Sequence, residues 1–267
     1  MRAFRIAYDG SDYAGFQRQP DVRTVEGDLF AALARLGVYD PADHRPTGYA
    51  AAGRTDAGVS ALAQTVACEV PDWLTPRALN SELPAAVRAW ASADVTGAFH
   101  ARHDATSRGY TYHLHAPDAD SERARRALST LSGTHDLHNL TPDEGRTRRT
   151  VEAEVDVDGP YLVFDVRSPG FPRQLVRRLV GLVGRVARGE RDPAFVERVL
   201  SAETLSDPAG VAPAPPEPLV LTRVEYPGVE FAVDPEAARR ASEVFEVRRV
   251  ERLTGARVAG TVAEGMR

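Results

Sequence analysis

Short strand-like segments alternate with helix-like segments along the whole chain, and this alternation restricts the possible folds more than any other feature of the sequence. Apolar or alternating runs predict strands at residues 4–8, 44–52, 61–70, 93–99, 108–115, 149–157, 162–168 and 219–226. Amphipathic runs predict helices at residues 24–37, 75–83, 172–188, 193–200 and 235–248, and one that opens within 117–126 and ends near Gly133. Residues 207–218 contain five of the 19 prolines and predict a loop.

Neither half of the chain shows a sequence repeat, and no low-complexity linker separates the two halves. A chain of 267 residues that is 43% hydrophobic can form one large domain or two fused halves. Because strands and helices interleave in both halves, we predict an α+β fold: two similar-sized lobes that meet in one continuous sheet, with helices on one side. The cleft between such lobes is a natural position for a site.

The basic residues are unusual, because all 33 are arginines, against 38 acids and a formal net charge of -5. A genome rich in G and C or a salt-loving source would each explain this composition. Arginine binds phosphate in a bidentate way and stacks on bases. A mildly acidic protein can therefore bind nucleic acid if its arginines gather on one face.

Cysteine content and hydropathy exclude several classes of protein. Cys68 is the single cysteine, which rules out an intrachain disulfide framework or a thiolate metal cluster. The opening MRAFRIAYDG has too short an apolar run for a signal peptide, and no stretch approaches the roughly 18–20 apolar residues that cross a bilayer. We expect a soluble cytoplasmic protein without a membrane partner.

The stretch GYAAAGRTDAGVSA, residues 48–61, places one acid among small residues. It can be a tight turn, since Asp and Gly are common turn residues. It can also hold a nucleophile where a large ligand comes close. An ion pair with Arg54, or with an arginine of the helix predicted at 172–188, would keep Asp56 ionised.

The strand RGYTYHLH, residues 108–115, places Arg108, Tyr110 and Tyr112 on one face. Such a face can stack bases, at roughly 1–3 kcal/mol per base. It can equally be a half-buried strand whose tyrosines pack under a helix. The pattern alone leaves both alternatives open, and packing is the commoner case.

The helix predicted at 172–188 lies in a strongly basic part of the chain. Between residues 166 and 189 there is no acid and there are six arginines, at positions 167, 173, 177, 178, 185 and 188. Arg177, Gly181, Arg185 and Arg188 recur at helical spacing and would share a face. That face can bind phosphate or a buried carboxylate, or it can be the solvated side of an amphipathic helix.

Motifs for metals and cofactors are missing from the sequence. His113 with His115, and His135 with His138, match no strong zinc spacing. No Walker loop, dinucleotide fingerprint or nucleophile elbow is present. We therefore expect neither a metal nor a small-molecule cofactor. A metal-dependent hydrolase that uses these four histidines is one rival hypothesis.

Six segments, in order, resemble those of the tRNA pseudouridine synthase A family, within the pseudouridine synthase superfamily. They are YDGSDYAGFQRQPDVRTVEG (8–27), GRTDAGV (53–59), FHARHDATSRGYTY (99–112), LSGTHDL (131–137), FPRQLVRRLVG (171–181) and PPEPLVLTRVEY (215–226). The sequence departs from the family pattern at Phe16, Ser60, Pro172, Leu175 and Pro218. These departures spare Arg54, Asp56, Tyr110 and Arg177, so they concern RNA specificity more than catalysis.

The resemblance implies two RRM-like α/β lobes, residues 1–104 and 105–267, joined in a mostly antiparallel sheet with the active-site cleft between them. It implies a cofactor-free isomerisation of uridine to pseudouridine at positions 38–40 of the tRNA anticodon arm, and a homodimer bridged by tRNA. A non-catalytic tRNA-binding protein of the same fold is the other rival hypothesis.

The resemblance also implies a role for each residue of the site. Asp56 is the nucleophile, which attacks the sugar C1′ or promotes a glycal intermediate. Arg54 helps to extrude the target nucleotide, Tyr110 contacts the flipped base, and Arg177 pairs with Asp56. The predicted substrate-binding residues are Arg54, Arg102, Arg108, Tyr110, Arg173 and Arg178.

Overall fold

A single mixed sheet organises this computed structural model, which describes residues 1–205 and 210–266. The described strands are β1 (Arg2–Tyr8), β2 (Ala50–Ala51), β3 (Ser60–Cys68), β4 (Val87–Asp94), β5 (Ser107–His115), β6 (Gly133–Asp136), β7 (Arg148–Asp158), β8 (Tyr161–Ser168), β9 (Leu219–Glu225) and β10 (Ala232–Val233). Their order is β10-β4-β1-β3-β9-β5-β8-β7-β6, and β2 also pairs with β3.

The two halves of the sheet are joined by β9. It pairs parallel to β3 through Ser60–Val220 and Ala61–Leu221, and antiparallel to β5 from Ser107–Glu225 to Tyr112–Leu219. The other described strand pairs are antiparallel. The prediction of an α+β fold with one continuous, mostly antiparallel sheet is therefore confirmed.

Six α-helices are described: α1 (Val25–Arg35), α2 (Pro76–Asn80), α3 (Ser121–Leu131), α4 (Leu175–Ala187), α5 (Ala194–Leu200) and α6 (Pro235–Glu264). A short 3₁₀ helix covers His138–Leu140. Thr24 caps α1 as predicted, because its hydroxyl accepts a hydrogen bond from the Gly27 amide. None of these helices combines the length and the hydropathy that crossing a bilayer requires.

Two hydrophobic clusters lie under the sheet. The first contains Phe4, Ile6, Leu29, Leu33 and other residues of the first half, together with Leu221 and Val224 of β9. The second is built from α3, α4, β5 and β8, with fully buried Tyr112 and Phe164 near its centre. Along β8 the residues alternate between buried and more exposed, so one face of the sheet is covered here. The division of the chain at residue 104 stays a prediction.

Two predicted strands were wrong in their extent. Residues 44–52 contain only the two-residue β2, because a turn through Pro46 and Gly48, with φ of 66° at the glycine, precedes it. The strand predicted at 93–99 lies at Val87–Asp94 instead. Its buried positions alternate, but three of the four are alanines, and this weakens the apolar signal.

Two helix boundaries also differ from the prediction. α4 begins at Leu175 and not at residue 172, because Gln174 has the left-handed φ of 61° and Pro172 lies before the first turn. α6 continues to Glu264, well beyond residue 248. Gly255 and Gly260 lower the helix propensity of that stretch and obscure its continuation.

Several smaller features also differ from the prediction. The sequence analysis did not predict β6, β10 or the 3₁₀ helix. The loop predicted at 207–218 is confirmed for residues 210–218, and residues 207–209 lie outside the described part of the chain.

Asp9 ties the C-terminal helix to the end of β1. Its carboxylate is only 5% exposed and accepts hydrogen bonds from Arg248 (2.8 Å) and Arg252 (2.5 Å) of α6. Burial by itself would raise the pKa of Asp9, but hydrogen bonds from Ser11 and Arg248 and the charge of Arg252 outweigh it. The pKa of Asp9 is therefore lower than its ordinary value.

This lowered pKa predicts an acid-dependent contribution to stability. A carboxyl group whose pKa falls on folding stabilises the protein above its unfolded-state pKa, about 3.9, and loses this effect as the pH falls through the folded-state value. We expect Asp9→Asn to lower the free energy of unfolding at about pH 6, and this difference from wild type to shrink below about pH 4. Urea denaturation across that pH range measures the difference in the free energy of unfolding. Asp118→Asn, which replaces an exposed acid, is the control. A difference that stays constant down to the lowest pH would contradict the prediction.

Candidate active site

The Asp56 loop, residues 53–59, connects β2 to β3 and is held by the segment that follows β1. The buried Thr55 hydroxyl lies 2.8 Å from the Tyr8 hydroxyl. The Phe16 amide donates to the Thr55 carbonyl at 3.1 Å, and the Gly58 amide donates to the Tyr13 carbonyl at 3.2 Å. The backbone on both sides of Asp56 is therefore fixed by the protein itself.

The small residues around this loop allow two backbone segments to pack closely. A Cβ atom on Gly10 would lie 2.1 Å from the Val59 carbonyl oxygen, and one on Gly58 would lie 2.9 Å from Pro216. Gly15 and Gly58 also have φ values of 102° and 82°, which side chains disfavour. Gly53 has open space where a Cβ would be. The loop is thus a tight turn, as one alternative predicted, and it also presents a partly exposed acid.

Gly15→Ala tests this packing. The added methyl group would lie 3.1 Å from the Thr55 carbonyl oxygen at a φ of 102°, so we expect the free energy of unfolding to fall by about 1–3 kcal/mol. Gly255→Ala is a matched control, because the same methyl group would enter open space within α6. Its stability should stay unchanged or rise by up to about 1 kcal/mol. Chemical denaturation of both variants measures the effect, and equal stabilities would contradict it.

Asp56 forms an ion pair with Arg177 of α4. Arg177 Nη1 lies 3.0 Å from Asp56 Oδ2, and the two side chains are 13% and 32% exposed. Arg177 Nε also donates to the Ala214 carbonyl at 2.8 Å, and the Ala214 amide donates back to the Arg177 carbonyl at 2.9 Å. The helix arginine is therefore the partner of Asp56, whereas Arg54 is exposed and has no ion-pair partner among the described residues.

Gly181 of α4 allows the segment that contains Ala212 and Ala214 to lie close to the helix. A Cβ there would lie 2.6 Å from the Ala212 carbonyl oxygen, so the segment that orients Arg177 can approach α4 only because residue 181 has no side chain. The hydrogen bond from Arg177 Nε to the Ala214 carbonyl thus orients the guanidinium.

Tyr110 of β5 packs against both hydrophobic clusters and is close enough to Asp56 for the two side chains to interact electrostatically. Its ring makes an edge contact with Phe171, with centroids 5.1 Å apart and planes at 88°. Burial raises the pKa of Tyr110 to about 12, against the opposing effect of Arg108 and with a further contribution from Asp56. The hydroxyl is therefore protonated at neutral pH. Phe171 was in a motif of the sequence analysis but was not selected as a site residue.

The stacking platform proposed for Arg108, Tyr110 and Tyr112 is not formed. Tyr112 is fully buried in the second cluster, and its hydroxyl donates to the Pro215 carbonyl at 3.0 Å. The Arg108 guanidinium donates to the carbonyls of Ala52, Arg102 and Pro169. The packing alternative is therefore correct for Tyr112. The role of Arg108 in substrate binding stays a prediction.

The arginines of α4 and its C-cap bind different partners. Arg185 pairs with Glu190 at 3.7 Å, and Arg188 donates to the His115 carbonyl at 3.3 Å. Arg178 donates to the Val211 carbonyl and to Gln174. The ion pair that the structure describes for Asp56 is with Arg177.

Two other predicted binding residues lie outside the ion pair. Arg173 pairs with Asp143 at 3.4 Å, and Arg102 is exposed near the end of the FHAR segment. Their contacts with a substrate stay predictions.

The histidines considered as metal ligands are dispersed. His115 packs on Tyr161, and His135 and His138 approach the carbonyls of Ser132 and Glu203. Among the residues that the structure describes, no group of three or more His, Cys, Asp or Glu side chains could hold a metal ion.

Comparisons with known proteins agree with the sequence motifs. A family model described as tRNA pseudouridine synthase matches residues 127–227. The tRNA pseudouridine synthase A of Natronomonas pharaonis is 61% identical over 265 residues, 98% of this chain and 99% of that protein. The protein of the same name from Haloarcula marismortui is 55% identical over 276 residues and the full length of both chains.

Solved structures give a weaker likeness. A chain in the crystal structure of a Cbf5-Nop10-Gar1 complex has a TM-score of 0.37 and 12% identity, over 83% of this chain and 58% of that chain. The fold therefore rests on the strand pairings described above, and the family rests on the full-length relatives. This chain belongs to the tRNA pseudouridine synthase A family and is an isomerase.

Proposed function

We propose that the enzyme converts uridine to pseudouridine at positions 38–40 of the tRNA anticodon arm. The observation that carries this proposal is the Asp56–Arg177 pair at 3.0 Å, which joins the loop of the first half to α4 of the second. Full-length relatives named tRNA pseudouridine synthase A support the substrate class. The anticodon positions come from the family resemblance of the sequence.

Asp56 is the reactive group in this proposal. Arg177 binds Oδ2, and Oδ1 has no hydrogen-bond partner among the described residues, so it can face a sugar. Carboxylates are established nucleophiles at sugar carbons. The N1–C1′ bond breaks, the uracil turns, C5 bonds to C1′, and the C5 proton leaves while N1 gains a proton. Direct attack on C1′ and a glycal route both use this carboxylate, and neither changes the oxidation state.

Tyr110 and Arg54 would act on the flipped nucleotide. The edge contact with Phe171 fixes the Tyr110 ring beside Asp56, where it can stack on or contact the uracil. Its hydroxyl, with a pKa of about 12, is a hydrogen-bond donor at neutral pH. Arg54, exposed and two residues before Asp56, can enter the stem in place of the extruded base. Flipping costs a few kcal/mol, which such a substitute offsets.

The remaining proposals concern binding and assembly. Arg102, Arg108, Arg173 and Arg178 would contribute contacts to the tRNA backbone, where arginine is effective and binding weakens with salt. We propose two lobes, residues 1–104 and 105–267, and a cytoplasmic homodimer in which one tRNA contacts both subunits.

Pseudouridine mapping tests the function. Carbodiimide labelling and primer extension on an unmodified tRNA transcript should give new stops at positions 38–40 with the wild-type enzyme and none with Asp56→Ala. Transcripts with cytidine at one of the three positions assign each stop. If no stop appears with either protein, in low or molar salt, the chain is a tRNA-binding protein without this chemistry. Stops outside the anticodon arm would overturn the assigned positions.

A further inference from the structure

A second carboxylate near the site, Asp9, has every hydrogen-bonding position of its side chain occupied. Arg248 and Arg252 both bind Oδ2, at 2.8 and 2.5 Å. The amide of Ser11 donates to Oδ1 at 3.2 Å, and the Ser11 hydroxyl donates to the same atom. Arg252 also donates to the Ser11 hydroxyl at 2.7 Å. Asp9 and Ser11 are thus clamped to two successive turns of α6.

The ion pairs of Asp9 with Arg248 and Arg252 attach the middle of α6 to the end of β1. Only Ala237 and Ala241 of this 30-residue helix are buried, and both lie in its first two turns. The residues of α6 beyond Arg252 are exposed except for a partly buried Gly260. The fully buried apolar residues of α6 therefore lie at its start, followed by the partly buried Val244 and Phe245, and the two arginines hold the next turns against Asp9.

The segment that begins at Asp9 is the one that supports the Asp56 loop. The Gly10 amide donates to the Ser60 hydroxyl at 3.0 Å, and Gly10 packs directly on Val59. Further along, the carbonyl of Tyr13 and the amide of Phe16 bind the backbone on either side of Asp56. A short continuous set of contacts therefore connects α6 to the reactive carboxylate.

We propose that Asp9, held by Arg248 and Arg252, is a positioning residue that keeps the Asp56 loop in its reactive place. An acid buried against two arginines is not required for stability alone, since apolar residues of similar volume often serve as well. A displacement of about 1 Å at a reacting group can lower a rate about 100-fold. This inference rests on the proposed function of Asp56.

The test compares rate, affinity and local order in the full-length enzyme. Asp9→Asn and the double variant Arg248→Gln/Arg252→Gln should lower the single-turnover rate of pseudouridine formation by about 10- to 100-fold. The Kd for tRNA should change by less than about threefold, because neither variant removes a residue of the proposed RNA surface. Arg248→Lys/Arg252→Lys keeps both charges and should recover most of the rate.

Arg249→Gln is the matched control, because Arg249 is on the same turns of α6 and pairs with Glu246, not with Asp9. Its rate should equal that of wild type. Hydrogen exchange gives a readout that does not depend on catalysis: the amides of Phe16 and Gly58 should exchange faster in the Asp9 and double-arginine variants only.

Any of the following outcomes would overturn the inference: unchanged exchange at these amides, a double-variant rate within twofold of wild type, or an equal loss of rate in Arg249→Gln. A fall in rate that only matches the fall in folded protein would also do so. If the wild-type enzyme forms no pseudouridine in the same assay, the proposed function fails, and if Asp56→Asn keeps full activity, the assigned role of Asp56 fails. In either case the exchange data still decide whether Asp9 orders the loop.

Discussion

Asp56→Asn is expected to abolish pseudouridine formation, with a single-turnover rate at least about 1,000-fold below wild type. The amide has nearly the shape of the carboxylate and can still accept a hydrogen bond from Arg177, but it has no negative charge with which to stabilise or attack a developing cation at C1′. The backbone contacts through Thr55 and Gly58 do not involve the side chain, so the loop should keep its position.

Single-turnover kinetics with excess enzyme measure this effect without interference from product release. Binding of the tRNA transcript, followed by filter retention, should change by less than about threefold, because the loss concerns the transition state. Asp118→Asn is the matched control: this acid is exposed and remote from the ion pair, and its rate should equal that of wild type. Full activity in Asp56→Asn would end the assignment of the carboxylate.

Local patterns were sufficient to predict strands in which buried and exposed positions alternate and the buried side chains are large. The β7–β8 hairpin has this alternation, and α1 has both a cap and a terminal glycine, so their boundaries agree within about two residues. The boundaries of β5 agree equally well, although its buried positions do not alternate. β4 has the same alternation, but Ala89, Ala91 and Ala93 resemble a helix or a loop as much as a strand. Its place between β1 and β10 depends on partners that no local window contains.

The family resemblance predicted that Arg177 pairs with Asp56, and the ion pair confirms this contact. Without the resemblance, the residue pattern left Arg54 and the arginines of the predicted helix as alternatives. Arg54 is two residues from Asp56, and Arg177 is 121 residues away. Which arginine binds Asp56 depends on where α4 begins and on the hydrogen bond between Arg177 and Ala214. Gln174, in the left-handed conformation, sets the start of α4. A left-handed residue other than glycine leaves little trace in a sequence. The ion pairs of Asp9 with Arg248 and Arg252 were not predicted, since the helix that became α6 was predicted to end at residue 248, before Arg252.

The turn interpretation of the GRTDAG stretch is confirmed, whereas the interpretation of Asp56 as a nucleophile stays a prediction. A reactive carboxylate must be held firmly and yet stay open to its substrate. Glycines 10, 15 and 58 satisfy the first requirement by allowing the supporting backbone to lie close to the loop. The side chain of Asp56, about one third exposed, satisfies the second.

Arg177→Gln is expected to lower the single-turnover rate about 100-fold and to leave tRNA binding within about threefold of wild type. The substitution removes the charged contact with Asp56 and the hydrogen bond to Ala214, so the carboxylate is free to rotate away from its reactive orientation. The free energy of unfolding should fall by only about 1 kcal/mol, because the ion pair is partly open to solvent.

Arg177→Lys distinguishes charge from geometry. A lysine ammonium can reach one partner as a point charge, whereas the guanidinium binds Asp56 through Nη1 and Ala214 through Nε at the same time. We therefore expect Arg177→Lys to recover part of the rate and to remain about 10-fold below wild type. Arg185→Gln, two turns further along α4 and paired only with Glu190 across 3.7 Å, should be as active as wild type. Equal rates for Arg177→Gln and Arg185→Gln would mean that Asp56 keeps its orientation through the loop backbone alone.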